Sequence, residues 1–195
     1  MRALLALVVV TVLAVGASTY IAMDDDDVQP AATGSVTLVG DSLNVGIDPY
    51  LREELDGWTI DAHDRVGRST DEGVAVLREL RSSLAPVVVL SLGTNDPDGS
   101  ESRFEALVSE AVEVVGPSRC LLWATIVRDG IGRIEFNRAL VRARAANPNV
   151  RLVEWALLVS EDDSLLESDF VHGTPEGYAA RAAETARAVR ACRRA

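Results

Sequence analysis

Ser42 follows the short apolar run Val36 to Val39 and the pair Gly40-Asp41, at the point where a helical pattern begins. A serine between the carboxyl end of a strand and the first turn of a helix has its hydroxyl lifted out of the sheet edge, beside helix N–H groups that lack partners. That is how a chain presents a nucleophile. Serine needs a base to take its proton, and the chain holds only two imidazoles, His63 and His172. His172 is the better placed, because Asp169, three residues earlier, can hold the ring in the tautomer that leaves its other nitrogen free. His63 reads as a polar residue at a strand end, within reach of the same edge. The chemistry these residues predict is acyl transfer through a Ser42 acyl-enzyme.

The rest of the composition removes rivals. The 195 residues carry a net charge of −11, whereas nucleic-acid affinity comes from neutralising phosphates with cations, so no nucleic-acid partner is expected. All basic side chains are arginine, which leaves no lysine for Schiff-base chemistry or a phosphate loop. Two histidines and two cysteines are too few for a zinc site built on such ligands, and neither a metal nor a cofactor is expected.

The elements that must position these residues begin after a targeting segment. Residues 1–23 carry Arg2 and then an apolar stretch to Met23. They read either as a signal peptide cut after Val15-Gly16-Ala17 or as a membrane anchor, and the length of the stretch favours the anchor. Both readings export the rest of the chain, to the outer face of the cell membrane or into the medium. Residues 24–34, opening with the run Asp24 to Asp27, read as an acidic, polar spacer. Residues 35–195 read as the catalytic domain.

Within that domain, short apolar runs at Val36–Val39, Trp58–Ala62, Val87–Leu92, Cys120–Thr125 and Val150–Glu154 alternate with helical patterns. Helices are expected over Leu43–Leu55, with a break or a new first turn at Pro49, from Thr70, along Phe104 to Val115, over Ile134–Ala146, and from Thr174-Pro175 to the end. Five strands alternating with helices predict a three-layer α/β/α domain with a mainly parallel sheet. Ligands of such sheets sit outside the carboxyl ends of the strands. Gly40-Asp41-Ser42, His63 and Gly67, Gly93-Thr94-Asn95-Asp96, and Asp169 to His172 all fall at that edge. Singly, Ser42 could be a helix cap, Gly67 and Asn95 turn residues and His172 a surface residue; together they converge on one pocket.

These blocks resemble those of the SGNH (GDSL-type) hydrolases, in order and over nearly the whole chain from Val36. Gly40-Asp41-Ser42-Leu43 is similar to that family's first block, Gly67 to the glycine of its second, Gly93-Thr94-Asn95-Asp96 to its third and Asp169-Phe170-Val171-His172 to its fifth. The resemblance implies a flavodoxin-like sheet of order 2-1-3-4-5. It also implies an oxyanion hole of the Ser42 N–H, the Gly67 N–H and the Asn95 side-chain amide, each donor of this kind being worth about 100- to 1,000-fold in rate. Asp41 and Asp96 read as residues that fix loops. Asn44 stands where the Gly-x-Ser-x-Gly elbow of α/β-hydrolases would have its second glycine.

Cys120 opens the fourth strand and Cys192 ends the last helix, so export allows a disulfide between them at the end opposite the site. The expected function is hydrolysis of small acyl esters of a glycan, lipid or small molecule by an exported serine esterase. The alternatives are transfer of an acetyl or similar group to a sugar hydroxyl, and a binding module that kept the fold without turnover. The sequence sets no oligomeric state.

Overall fold

The computed structural model describes residues 33–130 and 132–192. The expected signal or anchor, and all of the spacer but Thr33 and Gly34, lie outside these residues. Strands β1 (Ser35–Gly40), β2 (Thr59–Ala62), β3 (Val87–Ser91), β4 (Cys120–Ala124) and β5 (Val150–Val153) form one parallel sheet of order β2-β1-β3-β4-β5. Helices α1 (Ser42–Glu54), α2 (Thr70–Leu80), α3 (Glu101–Val115), α4 (Gly132–Ala146), α5 (Trp155–Glu161) and α6 (Pro175–Cys192) complete the domain. This is the expected α/β/α architecture, with the order that the resemblance implied.

Alternation along the strands splits the core in two. On one face Val88 and Leu90 of β3 and Leu121 and Trp123 of β4 meet α2, α3 and α4. On the other, Val87, Val89, Leu122 and Ala124 meet α1 and α6. Because both faces are covered, β3 is buried at every position, which is why it reads as an uninterrupted apolar run. At the amino end of β4, Cys120 is bonded to Cys192 at the end of α6, with the two Cα atoms 5.9 Å apart. The pairing ties the last helix to the sheet edge opposite Ser42.

Two expectations are corrected. Helix α1 runs through Pro49 without a break. Pro49 and Val45 are on the exposed face, where the Val45 carbonyl that the imide nitrogen cannot serve is open to solvent. Between β5 and α6 the chain also forms α5 and a 3₁₀ turn, Asp163–Leu165, which no periodicity over so few residues could announce.

Candidate active site

The first block is built from the end of β1. The Asp41 N–H donates to the Ser91 carbonyl (3.1 Å), extending the pairing of β1 with β3 by one residue, and the chain then turns into α1. Asp41, not Ser42, caps the helix: its Oδ1 accepts from the Leu43 N–H at 3.0 Å. This division leaves the hydroxyl of Ser42, the first helical residue, free for other work. Ser42 Oγ lies 3.0 Å from His172 Nε2.

His172 and Asp169 come from the turn before α6. Asp169 Oδ1 accepts from the backbone N–H groups of Val171 and His172, both at 2.9 Å, while Oδ2 lies 2.7 Å from His172 Nδ1. One carboxylate oxygen shapes the turn and the other orients the ring. A carboxylate can only accept, so Nδ1 carries the proton and Nε2 offers its lone pair to Ser42. The hydrogen bond from His172, followed by the two backbone donors, holds the Asp169 carboxyl down at about 2. The site is open: the side chains of His172 and Asp169 are 42% and 53% exposed.

Between them stands Phe170, 62% exposed and with φ of +58°, a left-handed conformation unusual for an aromatic residue. Its N–H donates to the Glu167 carbonyl (2.9 Å) and the Glu167 N–H to the His172 carbonyl (2.8 Å), so the turn is held on both sides.

Gly67 lies on the loop from β2 to α2 with φ of +73°, which a side chain would strain. Its N–H has no acceptor among the described residues. Gly93, with φ of +113°, makes the turn after β3 that delivers Asn95, and a Cβ there would fall 2.4 Å from Ile126 Cδ1. The Asn95 amide nitrogen donates to Asp41 Oδ2 (3.2 Å) and to the Arg68 carbonyl (3.1 Å). Both its protons are therefore engaged, and serving an oxyanion requires one of these contacts to loosen. Asp96 accepts from the Thr70 N–H (2.8 Å), tying this loop to the start of α2, the loop-fixing role expected of it. His63 stands apart from Ser42's partners, its Nε2 3.0 Å from Asp61 Oδ1.

Sequence reasoning missed the arginines that brace these loops. Arg68 donates to the carbonyls of Gly40 (3.2 Å) and His63. Arg128 donates to the carbonyls of Gly93 (3.3 Å) and Asp96 and to Asp98 Oδ1 (3.1 Å). Arg181 is buried beneath the site, and here a signal existed: it shares its helical stripe with the buried Ala182, Thr185, Ala186 and Val189. Among the described residues no cluster of His, Cys, Asp and Glu is arranged to hold a metal, and no helix is long and apolar enough to cross a membrane.

A serine, histidine and aspartate in hydrogen-bonded series at the carboxyl edge of a 2-1-3-4-5 sheet define the SGNH hydrolase fold. Solved structures carry the same fold. The C-terminal catalytic domain of peptidoglycan O-acetyltransferase A from Streptococcus pneumoniae, solved with a methylsulfonyl adduct, aligns with a TM-score of 0.69 at 18% identity, over 83% of this chain and 95% of that one. A lipase/acylhydrolase from Enterococcus faecalis aligns equally well, at 0.69 and 18%, over 81% and 96%. In sequence, the peptidoglycan O-acetyltransferase OatA of Listeria monocytogenes is 29% identical over 141 residues, which are 71% of this chain and 21% of that protein. The chain thus spans less than a quarter of the curated relatives it matches. No protein-family profile matches it.

Proposed function

We propose that this protein is an exported serine acyltransferase that moves a small acyl group, such as acetyl, onto a hydroxyl of an extracellular glycan. The observation that carries the acyl-enzyme chemistry is the series Ser42 Oγ to His172 Nε2 (3.0 Å) and His172 Nδ1 to Asp169 Oδ2 (2.7 Å). In the first half-reaction the Ser42 proton passes to His172 Nε2 as Oγ bonds to the acyl carbon. Negative charge on the carbonyl oxygen meets the N–H groups of Ser42 and Gly67 and the amide of Asn95. The carbon–oxygen bond to the donor alcohol then breaks, and that oxygen takes the proton from His172. In the second half an acceptor hydroxyl gives its proton to His172 and attacks the acyl-Ser42 carbonyl, and Ser42 recovers its proton.

Similarity in sequence to the peptidoglycan O-acetyltransferase of Listeria monocytogenes and in fold to that of Streptococcus pneumoniae favours a sugar acceptor over water. That places transfer ahead of the hydrolysis expected from sequence. One observation favours hydrolysis as a second reading: the exposed His172 and Asp169 side chains give water a route to the site. Residues 1–23, as anchor or signal, would put the domain where glycans are.

A chromogenic acetyl ester, assayed with and without soluble glycan fragments, tests the choice. Transfer predicts faster chromophore release with acceptor and an acetylated glycan by mass; unchanged release without that product leaves a hydrolase. Ser42→Ala should lower kcat on the order of a millionfold. Undiminished turnover in that variant would sink the acyl-enzyme, and no activity with any ester or acceptor would leave a binding module.

A further inference from the structure

Among the described residues, one guanidinium is buried completely. Arg181, in the second turn of α6, is 2% exposed, and its Cζ lies 5.3 Å from the centre of the Trp155 ring. Its Nη2 donates to Ser91 Oγ at 2.7 Å, while its Nε and Nη1 have no acceptor among the described residues. An arginine can only donate, so the Ser91 hydroxyl proton is left for another acceptor. It points to Asp41 Oδ1, 3.5 Å away.

Asp41 is itself wholly buried; Oδ1 accepts from the Leu43 N–H and faces the Ser91 hydroxyl, whose own acceptor side is taken by Arg181, and Oδ2 accepts from the Asn95 amide. The two N–H donors, one on each oxygen, favour the carboxylate over the acid. A proton on Oδ2 would oppose the Asn95 N–H and turn that amide out of place; a proton on Oδ1 would oppose the first N–H of the helix that carries Ser42.

We infer that Arg181 is a positioning residue for the reaction: its buried charge, relayed through Ser91, keeps Asp41 ionised, and ionised Asp41 holds the Asn95 amide and the first turn of α1 in register with His172. The electrostatics agree in direction. Burial raises the Asp41 carboxyl above its ordinary value, and Arg181 is the largest influence opposing that rise. Burial pushes Arg181 down to about 10, and Asp41 is the largest influence opposing that fall. The other ionisable groups within reach of Asp41 are Tyr178 on α6 and Asp64 and Arg68 on the β2–α2 loop. Arg68 is committed to backbone carbonyls, and Asp64 works against ionisation.

With Arg181 neutralised, Asp41 takes up a proton at higher pH, and the protonated form is the misaligned one, so activity is lost on the acid side. The full chain, labelled with 13C at aspartate carboxyls, reports this without any reaction, with the Asp41 resonance assigned by its absence from Asp41→Asn. In Arg181→Met the Asp41 midpoint should rise by about one to three pH units, and Arg181→Lys should stay near wild type. Arg181→Gln, which keeps a donor for Ser91 but no charge, should follow Arg181→Met and serves if the latter does not fold. The acid limb of kcat for a chromogenic acetyl ester should move with the midpoint, and adding Asp41→Asn should abolish the difference between the wild-type and Arg181→Met backgrounds.

An unmoved Asp41 midpoint in both neutral variants would overturn the proposal, as would a kcat lowered equally at every pH. The rate readout rests on Ser42 being the acyl nucleophile. If wild type shows no Ser42-dependent turnover, that functional reading fails while the carboxyl titration still decides this one.

Discussion

The two faces of the sheet solve different problems with different side chains. Under α2, α3 and α4 the core is large and apolar, with Phe104 stacked on Phe136 (centroids 4.4 Å apart) and edge-on to Trp123 (5.8 Å), and its buried polar residues Thr70 and Asp96 meet at the start of α2. Under α1 and α6 it is narrow, built on Ala182, Ala186 and Val189, and it contains a buried arginine and a buried aspartate. Ser42 opens α1, and His172 stands just before α6. The side that carries Ser42 and His172 therefore gives up apolar volume to hold charges under them, and the opposite side supplies the stability that this forgoes.

Four changes put this contrast to the test. Phe104→Ala removes the centre of the aromatic face and should lower unfolding free energy by about 3–5 kcal/mol in denaturant titrations. Acyl turnover per folded molecule should stay unchanged; a matching loss of kcat would mean that the faces are not separable. Reducing Cys120–Cys192, or replacing both by serine, reopens a span of 72 residues and should cost about 4 kcal/mol on chain-entropy grounds. The kinetics at 25 °C should hold, because the bridge lies at the edge opposite Ser42.

On the charged side, Asp64 is raised to about 6, chiefly by burial, against which the amide of Asn44 (3.1 Å) and the charge of Arg68 act. A carboxyl with a raised folded value binds its proton more tightly when folded, so its contribution to stability falls as pH rises from about 4 through 6. Asp64→Asn should therefore gain about 1–3 kcal/mol at pH 7.5 and nothing at pH 4. A gain equal at both pH values would point to packing rather than charge. Phe170→Gly relieves a left-handed aromatic residue and should shift stability by less than about 1 kcal/mol, since glycine's freedom in the unfolded chain offsets the relief. If its KM for glycan acceptors rises while its melting temperature holds, the exposed ring contacts substrate.

Much of this was legible in the sequence. Val87 to Leu92 announced a strand covered on both faces, and Thr174-Pro175 announced the start of α6, where the Thr174 hydroxyl accepts from the Gly177 N–H at 3.1 Å. Ser42, Asp169 and His172 could be read because motif and spacing are local. What caps α1 could not be read: two adjacent residues could each cap, and only the turn geometry shows Asp41 doing so while Ser42 faces His172.

Pattern and composition were enough to set the alternation of the five strands with their longer helices, the residue types at the strand ends, and the exclusion of lysine chemistry, since these depend on period and residue counts. It took the folded molecule to show that Asn95 spends its protons on Asp41 and Arg68 and that Arg181 lies beneath Asp41. Those contacts join residues 27 to 90 positions apart. Local propensity carries no information about partners so distant; burial and the pairing of charge inside a low-dielectric core select them.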